Sequence, residues 1–173
     1  LEKRANADKQ CDKRMTALMY VAKYGGKYAK DMIRVLLDNS ANVDIQDVCG
    51  NTALMYALEY GGELAKNWYF GEPDVPSKYY GEYIEGMIRL LLDEGADANK
   101  QHENGWTALM LAAWHGGEHG AGMMRLLVEY GATAPERLEH ASPELTEYID
   151  GTRNWTPLHR AADARNFDAL REC

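Results

Sequence analysis

The sequence predicts an all-helical fold, a solenoid in which helix-turn-helix units stack side by side. Three observations lead to this prediction. A short phrase that begins with threonine occurs four times along the chain. Apolar residues at helical spacing follow each copy, and a second apolar run follows each of the first three. Because self-similarity at a regular interval is the sequence signature of stacked repeats, we expect helix pairs that bury one another's apolar faces.

The repeated phrase marks the start of the first helix in each unit. It occupies residues 16–19, 52–55, 107–110 and 156–159, which spell TALM three times and then TPLH. A threonine hydroxyl accepts a hydrogen bond from an unpaired amide of the first helical turn, so each threonine is a predicted N-cap. After the first threonine, Leu18, Val21 and Ala22 form the predicted buried face of the helix.

Glycine pairs separate the two helices of a unit. They lie at residues 25–26, 61–62 and 116–117, and we expect each pair to end the first helix. A second, mostly buried helix is predicted around residues 32–37, 87–92 and 123–128. Gly95, just after one of these runs, suits the left-handed residue that ends a helix.

This pattern resembles the ankyrin repeat, a unit of about 33 residues with a glycine before the threonine phrase, a leucine-rich second helix and a closing loop. The residues that carry the resemblance are 50–54, 90–92, 95–99, 105–109 and 156–162. Several copies in phase make the resemblance specific, since a single TPLH string is common.

The resemblance implies an ankyrin-repeat solenoid with long inter-helix and inter-repeat insertions. We expect one domain over residues 1–173, with a partial repeat at 1–14, repeats at about 15–47, 48–101 and 102–134, an insertion at 135–151 and a partial repeat at 152–173. Because both ends fall within repeats, we expect the sequence to be a fragment of a longer array or protein.

Insertions lengthen the repeats. The threonines are 36, 55 and 49 residues apart, against about 33 in the family. The largest excess falls within residues 63–86, which hold six aromatic residues and are predicted to form an ordered loop. Two interpretations stay open, in which the rings pack the loop onto the array or form a partner-binding patch. A short helix is predicted at residues 143–149.

Composition excludes several classes of function. The net charge of −8 argues against a nucleic-acid partner and favours a neutral or basic protein or peptide. Apolar runs are too short to cross a bilayer, so we expect no membrane partner. Three distant cysteines without a CxxC pair favour a reducing compartment, and we expect an intracellular protein, cytoplasmic or nuclear.

Chemical motifs in the sequence are weak, and we predict no enzyme activity, no cofactor, no catalytic residue and no metal site. Residues 115–119 spell HGGEH, which matches a zinc-peptidase string that needs both histidines on one helix face. Two glycines at a predicted helix end argue against that geometry. The glycine pairs also lack the lysine and the preceding strand of a phosphate-binding loop.

The resemblance implies that partners contact the finger loops before each threonine and the ends of the first helices. The aromatic insertion after Gly62 is expected to extend that surface. The predicted partner-binding residues are Met15, Tyr24, Cys49, Asn51, Glu59, Tyr60, Trp68, Tyr69, Tyr79, Tyr80, Asn104, Trp106, Trp114, His115, Arg153 and Trp155. Exposed tryptophan and tyrosine are typical of interface hot spots, but aromatics that cover neighbouring repeats explain the same positions equally well.

Protein-protein recognition is therefore the predicted function, with the array acting as a scaffold. An alternative is the regulatory or substrate-docking segment of a larger enzyme. We expect a monomer, with weak self-association through the apolar faces of the incomplete repeats as the competing prediction.

Overall fold

The computed structural model describes residues 6–64, 77–115 and 120–133. Within these ranges the side chains of residues 27, 60–64, 77–80, 113–115 and 121 are outside the description. The predicted helix at 143–149 and the fourth threonine phrase therefore lie outside the described residues.

Six α-helices and one 3-10 turn make up the regular structure of these ranges. They are α1 (Ala17–Tyr24), the 3-10 turn (Gly26–Tyr28), α2 (Ala29–Asp38), α3 (Ala53–Leu64), α4 (Ser77–Asp93), α5 (Ala108–His115) and α6 (Gly120–Glu129). The predicted all-helical character is confirmed over this part of the chain. Among the described residues, every helix is too short or too polar to span a lipid bilayer.

Threonine caps begin the first helix of each described pair, as predicted. Each threonine hydroxyl accepts a hydrogen bond from the amide three residues later, which satisfies one unpaired donor of the first turn. The bonds join Met19 to Thr16 at 3.3 Å, Met55 to Thr52 at 3.3 Å and Met110 to Thr107 at 3.4 Å. The three threonines are buried.

The chain divides into two compact units, residues 1–96 and 97–173. In the first unit α1 packs on α2 and α3, and α4 packs on α2 and α3. Leu18, Ile33, Met55, Ile88 and Leu91 are almost completely buried in its core. Apolar stripes at helical spacing thus meet across four helices, which is the main source of stability in such repeats.

In the second unit, α5 packs on α6. Ala112 and Leu127 are completely buried there. One antiparallel bridge between Gln101 and Thr107 closes the finger that precedes α5. Extended structure is thus limited to a single bridge in the described part of this unit.

The prediction that the second helix is mostly buried is wrong for α2. Only Ala29 and Ile33 of this helix are buried, and Val35 is 60% exposed. Ala29 and Ile33 lie on the stripe that meets the neighbouring helices, and Met32 and Val35 lie beside it. The apolar run is therefore wider than the packed face.

The prediction that Gly61 and Gly62 end the first helix of the second repeat is also wrong. The first repeat behaves as predicted, because α1 ends at Tyr24 and Gly25 is its C-cap. In the second repeat α3 continues to Leu64. Glycine inside a helix costs about 1 kcal/mol relative to alanine, and packing of α3 against α4 offsets this cost.

The predicted insertion at 63–86 is partly helical. Helix α4 begins at Ser77, ten residues before the methionine at which the second helix was predicted to start. Pro76 directly precedes this helix, a position that proline tolerates. Much of the predicted loop therefore extends a helix of the repeat.

Residues with a left-handed backbone recur at two places in each repeat. Where the second helix ends, Ser40, Gly95 and Gly131 have φ angles of 65°, 87° and 85°. Where the finger turns, the corresponding angles are 59°, 87° and 83° at Arg14, Gly50 and Gly105. Gly95 thus has the predicted conformation, and the first repeat adopts the same backbone with two non-glycine residues.

Candidate functional site

Three fingers precede the capped threonines and offer the loop surface that the sequence analysis singled out. We call residues 11–15, 47–51 and 102–106 the first, second and third fingers. Each is closed by a backbone hydrogen bond from its first residue to the carbonyl of its last. The N···O distances are 3.1 Å in the first finger, 3.0 Å in the second and 2.9 Å in the third.

In the second and third fingers, the side chain of the first residue accepts hydrogen bonds from backbone amides of the turn. In the second finger Asp47 Oδ1 accepts hydrogen bonds from the amides of Cys49 at 2.9 Å and Asn51 at 2.8 Å. In the third finger His102 Nδ1 accepts from the amide of Asn104 at 3.1 Å. These bonds satisfy amides that face the turn, so the fingers have a defined shape.

Tyr56 connects the second finger to α3. Its hydroxyl donates to Asp47 Oδ2 at 2.5 Å, and Asp47 is only 6% exposed. Burial alone raises the pKa of a carboxyl group, but the hydrogen bonds from Tyr56, Asn51 and Cys49 favour the charged form more strongly. The pKa of Asp47 therefore lies below its usual value.

Tyr20 occupies the same place in the first repeat and faces a cysteine. The Tyr20 hydroxyl lies 3.9 Å from Cys11 Sγ. Slight burial acts to raise the pKa of the Cys11 thiol, but hydrogen bonds from the backbone of Lys13 and Met15 and from Tyr20 outweigh it, and the pKa is lowered. The hydrogen bond to Cys11 in turn raises the pKa of Tyr20.

An aromatic and cationic cluster lies at the end of α1. Lys23 Nζ is 5.4 Å from the centre of the Tyr24 ring and 4.9 Å from that of Tyr56. The rings of Tyr20 and Tyr24 are 6.0 Å apart and tilted by 34°. Tyr24 is 59% exposed and Tyr20 is 44% exposed. We call Tyr20, Lys23, Tyr24 and Tyr56 the Tyr24 cluster.

The first two fingers are joined to one another. The amide of Val48 donates to the carbonyl of Lys13 at 3.1 Å, and the Val48 side chain is exposed. Because Cys11 meets Tyr20 and Asp47 meets Tyr56, both fingers are also tied to the Tyr24 cluster. The first unit therefore presents two fingers and one helix end as a connected surface.

Six predicted partner-binding residues lie at described surface positions. Tyr24 and Asn104 are exposed, whereas Cys49, Asn51, Glu59 and Trp106 are half-buried. Tyr24, Cys49, Asn51 and Glu59 belong to the first unit, and Asn104 and Trp106 to the second.

Met15 requires a correction, because its side chain is only 6% exposed. The position just before each threonine has no fixed exposure, since Asn51 and Trp106 in the corresponding places are half-buried. Met15 is therefore part of the core and is not available to a partner.

The other predicted residues lack a described side chain. Tyr60, Tyr79, Tyr80, Trp114 and His115 have helical backbones, but their side chains lie outside the description. Trp68, Tyr69, Arg153 and Trp155 lie outside the described residues altogether. Residues 116–119 of the HGGEH string also lie outside the described residues. The prediction that this string is not a zinc site therefore stays a prediction.

Tyr83 lies within the predicted aromatic insertion but was not predicted as a contact residue. Its hydroxyl donates to the carbonyl of Gly26 at 2.5 Å and accepts from the amide of Lys30 at 3.1 Å. Burial raises its pKa, partly offset by the hydrogen bonds from the backbone of α2. The extension of α4 is thereby fastened to the turn between α1 and α2.

Tyr20 and Tyr56 were also missed as contact residues, although a signal was available. Both stand four residues after a capped threonine, so their recurrence in two repeats is visible in the sequence. Their partners differ, a thiol in one repeat and a carboxylate in the other. Only the three-dimensional arrangement shows that each tyrosine hydroxyl contacts the side chain of the first residue of a finger.

Comparison with known families gives one match. A family model described as ankyrin repeats (3 copies) matches residues 1–67 and 79–172. The match covers both units and most of the aromatic insertion's helical part. A search of the curated proteins finds no matching sequence.

Proposed function

Because the chain belongs to the ankyrin-repeat family, we propose that it binds another protein through the first two fingers and the Tyr24 cluster. Ankyrin repeats are in general protein-protein interaction modules. The observation that supports this surface is the exposure of Tyr24 beside two fingers that are joined to each other. The first finger also contacts α1 through Tyr20, and the second contacts α3 through Tyr56. Exposed tyrosine next to a cation is typical of binding hot spots.

The rigidity of this surface supports the proposal. Asp47 holds the second finger through four hydrogen bonds, three from within the finger and one from Tyr56. Binding to a preformed loop avoids most of the entropy cost of ordering it. Asn51 and Glu59 flank the same region and are proposed to supply polar contacts around the central ring.

The remaining predicted residues are also proposed to contact a partner. In the second unit, we propose Asn104 and Trp106 on the third finger as a polar and an aromatic contact residue. The aromatic insertion is proposed to extend the binding surface through Trp68, Tyr69, Tyr79 and Tyr80. Family likeness adds the helix ends at Tyr60, Trp114 and His115. It also adds the fourth finger at Arg153 and Trp155. The proposed partner is a protein and not a nucleic acid or a membrane. We also propose that the chain is a monomer.

Substitution at the centre of the surface tests the proposal. Replacing Tyr24 by Ala should reduce recovery of a specific partner from lysate by at least about fivefold, as expected of a hot-spot residue that contributes more than 1 kcal/mol. The readout is quantitative mass spectrometry of proteins captured on the immobilised chain. Tyr130→Ala is the matched control, because Tyr130 is also a part-exposed tyrosine but lies in the second unit.

Two results would contradict the proposal. Equal recovery by the parent and by Tyr24→Ala, with both proteins folded by circular dichroism, excludes this cluster as the centre of binding. Loss of recovery in Tyr130→Ala alone would place the binding surface elsewhere.

A further inference from the structure

Basic charge is concentrated at the first finger. Residues 9–14 read KQCDKR, and Lys9, Asp12, Lys13 and Arg14 are all exposed. Three cations thus stand against one anion, in a chain whose net charge is −8. The prediction of a neutral or basic partner rests on the net charge, but the charges around this finger have the opposite sign.

The other described fingers do not share this charge. Residues 45–50 contain no cation, and their one acid, Asp47, is buried and hydrogen-bonded. Residues 100–105 carry Lys100 and Glu103, which offset each other. Since all three segments form the same turn, their backbone does not require the basic residues, and among the described fingers the charge is a property of the first alone.

This charge adjoins the exposed rings of the Tyr24 cluster. Cys11 lies at the base of the finger, 3.9 Å from the Tyr20 hydroxyl. The Tyr20 ring is 6.0 Å from that of Tyr24, and Lys23 lies against Tyr24 on the same turn of α1. The first finger and the exposed end of α1 are therefore neighbouring segments of one unit. We call their cationic residues and exposed rings the basic strip and define it as Lys13, Arg14, Tyr20, Lys23 and Tyr24.

Among the residues that the structure describes, few acidic groups lie next to the strip. Asp12 is on the finger itself, and Glu59 is half-buried on α3 at the position that corresponds to Lys23 on α1. The carboxylate of Asp47 faces inward toward Tyr56. The exposed side chains of the strip thus keep a positive balance.

We propose that the basic strip binds an acidic segment of the partner protein, with its carboxylates on Lys13 and Arg14 and its chain across the rings of Tyr20 and Tyr24. This inference rests on the proposed function, which it extends by giving the partner's chemistry. Arginine pairs with carboxylates in a two-pronged geometry, and lysine adds a point charge. The tyrosine rings give the segment apolar contact area at small entropy cost.

A titration followed by nuclear magnetic resonance tests the proposal. The probe is a 12-residue peptide of alternating glutamate and glycine, added to the isotope-labelled chain, with a lysine-glycine peptide of equal length as the comparison. The glutamate peptide should shift the amide signals of residues 11–14 and 20–24, and the shifts should weaken when salt is raised. The lysine peptide should leave these signals in place.

Charge-matched variants separate a local site from general attraction. Lys13→Glu combined with Arg14→Asp should weaken binding of the glutamate peptide by about fivefold to tenfold, the effect of losing two exposed charge pairs. Aspartate is chosen at position 14 because it tolerates the left-handed backbone there. Arg34→Glu combined with Arg89→Glu changes the net charge equally at two exposed sites on the second helices of the same unit and should weaken binding less than twofold.

Four results would overturn the inference. One is the absence of shifts at the strip with the glutamate peptide, and another is equal weakening by the two double variants. The third is a stronger effect of the lysine peptide, which would assign a basic partner to this surface. Shifts at the strip that appear on raising the protein concentration alone would assign it to a second copy of the chain and also contradict the proposal.

The two levels of the proposal fail separately. If Tyr24→Ala abolishes partner recovery but the glutamate peptide shows no effect, protein recognition stands and the acidic partner is wrong. If the peptide binds the strip but recovery is insensitive to Tyr24→Ala, the strip binds acids and the proposed recognition surface is wrong.

Discussion

Left-handed backbone positions show how single residues shape each repeat. The end of the second helix requires a positive φ in all three described repeats, and glycine adopts it without a steric penalty. In the first repeat Ser40 adopts the same backbone with a φ of 65°. A β-carbon in this conformation costs about 1–2 kcal/mol, so the first repeat carries strain that the others lack.

Ser40→Gly should therefore stabilise the chain. We expect the free energy of unfolding to rise by about 0.5–1 kcal/mol, because relief of the strain exceeds the added freedom of glycine in the unfolded chain. Urea denaturation measures the change. Gly95→Ala is the reverse control and should destabilise the chain by about 1 kcal/mol, since the space around Gly95 is open and its φ of 87° is the sole obstacle. A fall in stability in Ser40→Gly would contradict this account.

The hydrogen bond between Tyr56 and Asp47 gives a second prediction at this scale. Tyr56→Phe should lower the free energy of unfolding at pH 7 by about 1.5–3 kcal/mol, the contribution of a hydrogen bond to a charged group. It should also raise the pKa of Asp47, because one donor that favours the charged form is lost. Urea denaturation and carboxyl carbon resonance measure the two effects.

The sign of the pH dependence follows from the lowered pKa of Asp47. A carboxyl group whose pKa is lower in the folded state stabilises the fold above its unfolded pKa of about 3.9. That contribution is lost as the pH falls through the folded value. The stability difference between the parent and Tyr56→Phe should thus shrink below about pH 4. Tyr24→Phe is the control and should change neither quantity, and a constant difference down to acid pH would refute the role of Asp47.

At the scale of the helix, the extension of α4 is the main departure from a regular repeat. Tyr83 on this extension bonds Gly26 and Lys30, which belong to the turn and helix of the preceding repeat. The turn between α1 and α2 and the insertion before α4 therefore meet at one contact. We infer that these two segments stabilise each other.

Tyr83→Phe tests this coupling. The substitution removes both hydrogen bonds but keeps the ring, and a loss of about 1–2 kcal/mol in stability is expected. Hydrogen-deuterium exchange should show faster exchange of the Lys30 amide and of residues 26–30, with little change in α6. If exchange rises only in α4 itself, the turn does not depend on Tyr83.

Helices were predictable from the sequence where local chemistry decides their ends. Thr16, Thr52 and Thr107 were recognised as caps because a hydroxyl at the start of an apolar run has one common use. Gly61 and Gly62 were misjudged because glycine opposes a helix only weakly and contacts made far along the chain outweigh it. The start of α4 at Ser77 was missed because the first residues of this helix lack the apolar pattern of the other repeats. Contacts made far along the chain outweigh this local signal as well.

The candidate site was predictable only in outline. Family likeness placed fingers and helix ends on the surface, and Tyr24 is exposed as expected. Exposure of a single finger position was not predictable, because Met15 turns inward where Asn51 and Trp106 are half-buried. The basic strip was hidden by the acidic composition, since net charge does not reveal how charges are distributed.

At the scale of the whole molecule, the fingers and the ends of the first helices are the proposed partner-binding surface, and the second helices are not part of it. Fingers and the end of the first helix provide fixed loops, exposed rings and local charge. In the first unit, the second helices α2 and α4 present Arg34 and Arg89 to solvent, and Arg89 pairs with Glu85 at 3.5 Å on its own helix. An exposed ion pair of this kind contributes little energy, so we infer that the exposed faces of these two helices are solvated and do not meet the partner.

Photochemical cross-linking tests this claim most directly. The photoreactive amino acid p-benzoylphenylalanine replaces Tyr24 or Val48 on the proposed surface, and Arg34 or Arg89 on the second helices of the same unit, one position at a time. Illumination in lysate followed by mass spectrometry identifies attached proteins. We expect a common partner attached at positions 24 and 48 and absent at 34 and 89. Attachment of that partner at 34 or 89, with none at 24 or 48, would contradict the proposed surface.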